Sequence, residues 1–115
     1  MKLARGTVVI AVLDPTAGHE QAGRRPCVVV GEPAAAALLR FHLIAVVPLT
    51  TTSLPSRFYP TVRPVAGSGL RAPSTALPDN VRGLDPTRIA RVGGLIDPRD
   101  LTAIDAALRT FLGLR

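Results

Sequence analysis

Two arginines, a histidine, a glutamate and a glutamine stand close together between two apolar segments of the chain. The segment reads GHEQAGRRP and occupies residues 18–26. A guanidinium group is planar, permanently charged and able to bind a phosphate through two hydrogen bonds. Pro26 favours an extended backbone at Arg25, which holds this guanidinium at the start of the second apolar segment. The segment therefore has the residue types needed to bind a phosphate and, through His19 or Glu20, to transfer a proton.

The polar residues around Arg25 have more than one candidate role. Glu20 is expected either to orient Arg24 or Arg25 through an ion pair or to act as a base. Histidine is the residue type best suited to act as an acid or a base near neutral pH, and the alternative for His19 is a loop histidine that contacts a bound partner. Arg24 is expected to be a solvated charge or to attract phosphate. Gly18 and Gly23 are expected to let the loop turn.

The whole chain is small and basic. It has 115 residues and a formal net charge of +6, and its length predicts one domain over residues 1–115. The charges of residues 96–115 cancel, so the basic surface is expected on residues 1–95. Excess positive charge favours an anionic partner such as nucleic acid, and a general preference of the sequence for Arg over Lys explains it equally well.

Several classes of protein are disfavoured. Cys27 is the only cysteine, so no disulfide or thiolate metal cluster is expected, and its place within PCVVV predicts a small buried side chain. His19 and His42 are far apart in sequence, so no metal site and no cofactor are expected, and His42 is assigned a structural role in an apolar strand. Asp14 ends the first apolar run too early for a signal peptide, and no segment reaches the roughly 18 apolar residues that span a bilayer. A cytoplasmic protein without membrane contact is therefore expected.

Short strands are expected to position these residues. Apolar and β-branched residues predict strands over Thr7–Leu13, Cys27–Val30 and Phe41–Leu49. The first two strands enclose a loop over Asp14–Arg25, and loops of this length usually carry function. Residues 32–40 favour either a helical turn or a mobile connection.

The second half of the chain predicts further short strands and a terminal helix. The segments FYPTVRPV, STALP, DNVRGLD and RIARVGGLI favour strands, with Pro60 and Pro64 typical of an edge strand. Asp97 is a suitable N-cap for an amphipathic helix over Pro98–Leu112, whose apolar face is expected to pack on the sheet. That face consists of Leu101, Ile104, Leu108, Phe111 and Leu112. The pattern predicts a mainly β fold of the small α+β type, a β-barrel of short antiparallel strands closed by a C-terminal helix.

The segment LDPTAGHEQAGRRPCVVV resembles the signature loop of the MazF/PemK-like toxins of type II toxin–antitoxin systems. The resemblance continues through VVPLTT, DNVRGLD, RVGGL and the terminal helix, in the family's order and over nearly the whole chain. It implies an SH3-like, plug-shaped β-barrel, usually a homodimer. It also implies a metal-independent endoribonuclease, an mRNA interferase, that cleaves single-stranded RNA at short motifs. A cognate MazE-like antitoxin is implied as well, which blocks the RNA groove with an extended acidic segment.

The resemblance also implies particular functional residues. The family's catalytic positions fall on Arg25 and on Thr50, the first Thr of PLTT. Glu20 and Gln21 match positions that shape the RNA site, and Arg82 matches a basic position beside it. The residues expected to bind substrate are His19, Glu20, Gln21, Arg24, Thr51 and Arg82. A strand-end residue without contact to RNA is the alternative for Thr51.

Three positions depart from the family pattern. His19 stands where the family often has Ser, residues 11–12 stand where a bulky aromatic residue is common, and residues 34–37 replace an Asn-rich linker. These departures keep open a degenerate toxin without activity. A second alternative is a toxin of the same fold that acts by binding a protein, as gyrase poisons do. Those poisons lack the Arg–Thr pair, so the presence of Arg25 and Thr50 favours the nuclease.

Overall fold

Strands make up most of the regular structure. In the computed structural model, which describes residues 3–115, the strands are β1 (Thr7–Val12), β2 (Arg24–Val29), β3 (Ile44–Thr50), β4 (Thr61–Val62), β5 (Ser74–Ala76), β6 (Arg82–Leu84) and β7 (Ile89–Leu95). Helix α1 (Pro33–Leu38) joins β2 to β3, and helix α2 (Pro98–Leu112) follows β7. Two short 3₁₀-helices, Pro78–Asn80 and Pro86–Arg88, precede and follow β6.

The strands form one antiparallel sheet in the order β4-β5-β3-β2-β1-β7. Strand β3 has two partners on its outer edge, because Ile44–Val46 pair with β6 whereas Leu49 and Thr50 pair with β5. Strand β4 lies at one end of the sheet, between Pro60 and Pro64, which confirms the predicted edge strand. This end position suits proline, which has no N–H to donate to a further strand.

The two ends of the sheet meet without forming a ladder. Among the described residues, β4 and β7 are not paired, and the Gly94 N–H instead donates to the Ser68 carbonyl over 3.2 Å. A Cβ atom at Gly94 would lie 2.0 Å from the Gly67 oxygen, so this approach requires glycine. The predicted mainly β fold with a C-terminal helix is confirmed, and its sheet is open, with a loop contact in place of the last strand pairing.

Both faces of the central strands are buried, which explains why these strands read as continuous apolar runs. Successive side chains of a strand point to opposite faces. The helix face contains Val8, Val28, Val47 and Leu49, which form one core cluster with Ile104 and Leu108 of α2. The far face contains Val9, Ala11, Leu13, Cys27, Val29, Val46 and Leu84. Burial raises the pKa of the Cys27 thiol to about 12, which agrees with its prediction as a small buried side chain.

The terminal helix has the bounds that the sequence predicts. The Asp97 carboxylate accepts a hydrogen bond from the Arg99 backbone N–H over 2.8 Å, Pro98 occupies the first turn and Gly113 ends the helix with a φ of 70°. Two hydrogen bonds from Arg99, chiefly the one from its side chain, lower the pKa of Asp97 to about 2.

No helix among residues 3–115 combines the length and the apolar character that crossing a bilayer requires.

Three predicted details are wrong. Strand β2 begins at Arg24 instead of Cys27, since its pairing with β1 extends to Arg24 opposite Val12. Strand β3 begins at Ile44 instead of Phe41, where its pairing with Leu84 starts. His42 therefore lies outside the strand, exposed and with a φ of 54°, and has no structural role there.

The apolar stripe of α2 is only partly buried. Ile104 and Leu108 pack in the core, but Phe111 and Leu112 are 54% and 51% exposed, because the sheet does not cover the last turn of the helix. The predicted packing of these last two residues on the sheet is therefore wrong. Of the two alternatives for residues 32–40, the structure has the helical turn. At its start, the Glu32 carboxylate accepts a hydrogen bond from the Ala34 N–H over 3.4 Å.

The buried carboxylate of Asp100 ties α2 to the edge of the sheet. It accepts hydrogen bonds from the Arg63 backbone N–H over 2.9 Å and from the Arg63 guanidinium over 3.3 and 3.2 Å. We expect Asp100→Ala to lower the free energy of unfolding by about 2–3 kcal/mol, because a charged hydrogen bond and the partner of a backbone donor are lost together. Urea denaturation measures this change.

The control for this measurement is Arg99→Ala. The Arg99 side chain is 75% exposed in its ion pair with Asp97, so its removal is expected to leave the free energy of unfolding nearly unchanged. Equal losses in the two variants would contradict the role given to Asp100.

Candidate functional site

The β1–β2 loop (residues 13–23) is closed at its base by hydrogen bonds. The Leu13 N–H donates to the Gly23 carbonyl over 2.9 Å, and the Gly23 N–H donates to the Asp14 carboxylate over 3.1 Å. Gly18 and Gly23 have φ values of 57° and 76°, in the left-handed region that favours glycine. The predicted function of the two glycines in turning the loop is confirmed.

Glu20 stabilises the tip of this loop. Its carboxylate accepts a hydrogen bond from the Ala17 N–H over 2.6 Å, and its own N–H donates to the Ala17 carbonyl over 3.1 Å. Within the described residues, Glu20 forms no ion pair with Arg24 or Arg25, so the predicted pairing is wrong. The Arg25 guanidinium is held instead by the Ala22 carbonyl, which accepts from its Nε over 3.1 Å.

Arg25 and Thr50 stand on neighbouring strands. In the β2–β3 ladder, Cys27 lies opposite Pro48 and Val29 lies opposite Val46. The same register, continued along both strands, brings Arg25 opposite Thr50 on the far face of the sheet. Cβ atoms of such opposite residues lie about 4.5–5.5 Å apart, close enough for both side chains to contact one group.

The Thr50 hydroxyl keeps its proton available. Its oxygen accepts a hydrogen bond from the Thr52 N–H over 3.2 Å, which leaves the hydroxyl hydrogen free to donate to a ligand. Arg25 and Thr50 are both half-buried. A guanidinium and a hydroxyl donor on adjacent strands can together bind the non-bridging oxygens of one phosphate.

Two further arginines hold the end of β1. Arg82 lies opposite Val46, on the far face, and donates to the Leu13 carbonyl over 2.9 Å. Arg88 donates to the Val12 carbonyl over 3.2 Å and also to the Asp14 carbonyl. Sequence reasoning missed Arg88, because the turn that follows DNVRGLD does not reveal in which direction the side chain extends.

A chain of polar contacts connects the loop to the 3₁₀-helix Pro78–Asn80. The Gln21 N–H donates to the Asn80 side-chain oxygen over 2.9 Å, and the Asn80 amide nitrogen donates to Asp79 over 3.3 Å. The Tyr59 hydroxyl donates to the other Asp79 oxygen over 2.8 Å, and this hydrogen bond raises the pKa of Tyr59. Asn80 and Asp79 were not predicted as site residues, and their place within DNVRGLD was the available sequence indication.

The remaining predicted residues occupy the periphery. His19 is exposed at the tip of the β1–β2 loop, and Thr51 is exposed just beyond β3. Arg24 alternates with Arg25 along β2, so its exposed side chain starts from the opposite face of the sheet. The structure thus brings Arg25, Thr50 and Arg82 to one face and leaves His19, Arg24 and Thr51 around it. No group of three or more metal-ligating side chains occurs in the part of the chain that the structure describes.

Fold and site together define a small β-sheet protein with an arginine and a threonine on one face of neighbouring strands, beside the β1–β2 loop. The model of the PemK-like, MazF-like toxins of type II toxin–antitoxin systems matches residues 4–112. The chain belongs to this family of toxins. No curated protein sequence matches the chain significantly.

Solved structures of MazF proteins are similar over nearly their whole length. MazF (Form-I) from Deinococcus radiodurans is 29% identical, with 96% of each chain covered and a TM-score of 0.77. The MazE-MazF complex (Form-II) from the same organism is 29% identical, with 97% of this chain and 96% of that chain covered and a TM-score of 0.70. A mycobacterial endoribonuclease in complex with its cognate antitoxin shares the fold at 23% identity, with 99% and 98% covered and a TM-score of 0.76.

The hydrogen bond from Gln21 to Asn80 is expected to determine the order of the loop. In Asn80→Ala, the Gln21 backbone N–H loses its acceptor, and we expect its hydrogen exchange to become about tenfold faster. Asn80→Asp keeps an oxygen acceptor at the same position and should retain the protection. NMR-detected exchange measures both variants, and unchanged exchange of the Gln21 amide in Asn80→Ala would contradict the role of this contact.

Proposed function

We propose that this chain is an endoribonuclease toxin that cleaves single-stranded RNA at a short sequence motif without a metal ion. The observation that carries the proposal is the β2–β3 register, Cys27 opposite Pro48, whose continuation past the end of the ladder leads to Arg25 and Thr50 on the far face of the sheet. Membership in the toxin family supports the same activity. The toxin would act on RNA in the cytoplasm.

The proposed reaction uses the 2′-hydroxyl of the RNA as nucleophile. The 2′-oxygen attacks the adjacent phosphorus, the bond from phosphorus to the 5′-oxygen breaks, and a 2′,3′-cyclic phosphate forms. The 2′-hydroxyl proton is lost to a base, and the departing 5′-oxygen gains a proton to give a 5′-OH end. Negative charge grows on the two non-bridging oxygens during the attack, and these oxygens are where fixed donors act most strongly.

Arg25 and Thr50 are the donors assigned to this charge. The Arg25 guanidinium is held by the Ala22 carbonyl, so it is already oriented before RNA binds. The Thr50 hydroxyl donates from the neighbouring strand. Removal of one such donor typically raises the barrier by about 3–4 kcal/mol.

Proton transfer requires a group other than arginine, whose pKa exceeds about 12. His19 and Glu20 are the titratable side chains at the tip of the β1–β2 loop. The Oε1 atom of Glu20 already accepts from Ala17, which leaves Oε2 for substrate. His19 is exposed and has no competing hydrogen bond among the described contacts, and a loop histidine that contacts RNA remains its alternative role.

The arginines around the pair are assigned to the RNA backbone. Arg82 and Arg88 each use part of a guanidinium to bind backbone carbonyls near the end of β1. A guanidinium has five N–H donors, and those that do not bind a carbonyl are free to donate to phosphate oxygens. Binding of RNA is therefore expected to weaken as salt is added.

Loss of the Arg25 guanidinium should abolish cleavage. In Arg25→Ala, we expect the cleavage rate of a long RNA in EDTA to fall by about 10²–10³-fold, because the growing phosphoryl charge loses its main donor. Sequencing of the new 5′ ends would measure the rate and reveal whether cuts recur at one motif.

The matched control is Arg24→Ala, which removes the same charge from the other face of β2 and should reduce cleavage by less than about tenfold. Intact RNA with the unmodified chain would contradict the nuclease, and trapping of gyrase on DNA by that chain would favour a toxin that acts by binding protein. Equal activity of Arg25→Ala and the unmodified chain would remove Arg25 from the mechanism.

Partner proteins are the second part of the proposal. Similarity to a MazE-MazF complex supports a MazE-like antitoxin whose acidic segment covers the arginines of the far face. A homodimer is also proposed, formed through the exposed apolar side chains at the end of α2, which are Phe111, Leu112 and Leu114. A groove of about 290 Å³ beside Phe111, lined by Phe58, Tyr59 and Pro78, offers a place for apolar side chains of a second copy.

The dimer is tested by Phe111→Glu. A chain of 12.1 kDa should elute as a particle of twice this mass, and a charge buried in the proposed interface should shift it toward the monomer. Light scattering coupled to gel filtration measures the mass. Phe41→Glu, at a residue that is 70% exposed after α1, is the matched control and should remain dimeric. Dissociation by Phe41→Glu alone would locate the interface at α1.

A further inference from the structure

A cavity lies beside Pro48, on the face of the sheet that carries Arg25 and Thr50. It has a volume of about 120 Å³ and is enclosed between the β1–β2 loop and the 3₁₀-helix Pro78–Asn80. Pro48 in its wall precedes Thr50 on the same face of β3. When a nucleotide is bound at Arg25 and Thr50, a base of the RNA can therefore reach this cavity.

The side chains that line the cavity are mostly polar. Leu13 and Pro48 also line it but are fully buried, so recognition of a ligand there depends on hydrogen bonds. The carboxylates of Glu20 and Asp79 stand at the rim. Because carboxylates repel a phosphate, the cavity is unsuited to the RNA backbone, and they accept hydrogen bonds from donor groups of a base.

Arg82 supplies the donor side of the rim. Its Nη1 atom donates to the Leu13 carbonyl over 2.9 Å, and its other N–H groups have no partner among the described contacts. A guanidinium donates to ring nitrogens and carbonyl oxygens of bases. The rim therefore offers donors and acceptors side by side.

Gln21 contributes an acceptor that has no partner. Its side-chain Oε1 is buried without a hydrogen bond, although a buried acceptor left unpaired costs about 1–3 kcal/mol. The backbone of Gln21 is fixed by Asn80. Because the Gln21 amide oxygen has no hydrogen bond to lose, rotation of its side chain toward the cavity adds an acceptor there and breaks no hydrogen bond of that oxygen.

We propose that this cavity binds one RNA base that carries an exocyclic amino group and discriminates against uracil. Adenine, cytosine and guanine each present an amino donor beside a ring nitrogen or carbonyl acceptor, which complements the carboxylates, the Gln21 oxygen and Arg82. Uracil presents a single ring N–H between two carbonyls. The proposal rests on the proposed function for RNA as the ligand, and it assigns sequence selectivity to Asp79, Gln21 and Arg82.

Binding of RNA that cannot be cleaved tests the cavity independently of catalysis. The probes are hexamers of 2′-O-methyluridine and the same hexamers with one uridine replaced by A, C or G, measured by fluorescence anisotropy. We expect at least one substituted hexamer to bind about tenfold more tightly than the uridine hexamer. Equal affinity for all four probes would overturn the proposal.

Asp79→Asn tests whether the rim of the cavity determines the base preference. An amide at this position can also donate a hydrogen bond to the carbonyls of uracil. We expect the tenfold preference to shrink to less than about twofold. Asp85→Asn is the matched control, since it removes the same charge from an exposed aspartate whose carboxylate binds Thr87 outside the cavity. Loss of the preference in both variants, or in neither, would overturn the role of Asp79.

Gln21→Ala provides a second test that does not remove a charge. The lost oxygen has no hydrogen bond in the folded chain, so the melting temperature should not fall while the base preference decreases. An unchanged preference in this variant would exclude Gln21 from the site.

Binding and cleavage together distinguish the two proposals. Discrimination among the hexamers without cleavage of natural RNA would overturn the nuclease and support the cavity. Cleavage of natural RNA with no preferred base at any position near the cut would support the ribonuclease activity, but it would overturn both the cavity and the proposed cleavage motif.

Discussion

The register of β2 against β3 is the constraint on which the proposed site depends. Side chains alternate between the two faces of a sheet, so a shift by one residue would turn Arg25 away from Thr50. The same shift would move three buried side chains to the other face of the sheet, those of Cys27, Val28 and Val29. The apolar core and the arginine–threonine pair are thus fixed by one alignment, and the cost of exposing valines protects the geometry of the site.

The β1–β2 loop is positioned by residues distant in sequence. Arg82 and Arg88 bind carbonyls at the end of β1, and Asn80 binds the Gln21 N–H. These contacts come from the segment around β6, which pairs with β3. The strand that carries Thr50 therefore also determines where the loop that precedes Arg25 is held, and the two halves of the site share one support.

Local chemistry made the helix and the strand centres predictable. Asp97, Pro98 and Gly113 define the ends of α2 by capping, which depends only on neighbouring residues, and the predicted bounds agree with the structure. The start of β2 was not predictable in this way, because Arg24 and Arg25 join the strand through pairing with β1. Exposure of Phe111 and Leu112 was missed for a similar reason, since periodicity indicates a face of a helix but not how far the sheet extends beneath it.

The candidate site was predictable in part. The loop residues and the Arg25–Thr50 pair followed from a family pattern, and the register places the pair on one face. Glu20 was expected either to pair with an arginine or to act as a base; it forms no such pair, and its carboxylate binds the Ala17 N–H of the same turn. Asn80 and Arg88 escaped prediction, since their partners lie 59 and 76 residues away in the sequence.

The divided edge of β3 has a consequence for how such a toxin can diversify. Because β5 and β6 both pair with β3, the chain between them must run alongside that strand, and the Leu77 N–H anchors it to the Pro48 carbonyl over 3.0 Å. This crossing contains Asp79 and Asn80 but no residue of the central ladder that aligns Arg25 with Thr50. Substitutions in the crossing can therefore alter the surroundings of the proposed nucleotide site while the strands beneath stay unchanged, so the proposed base preference and the proposed cleavage chemistry can evolve separately.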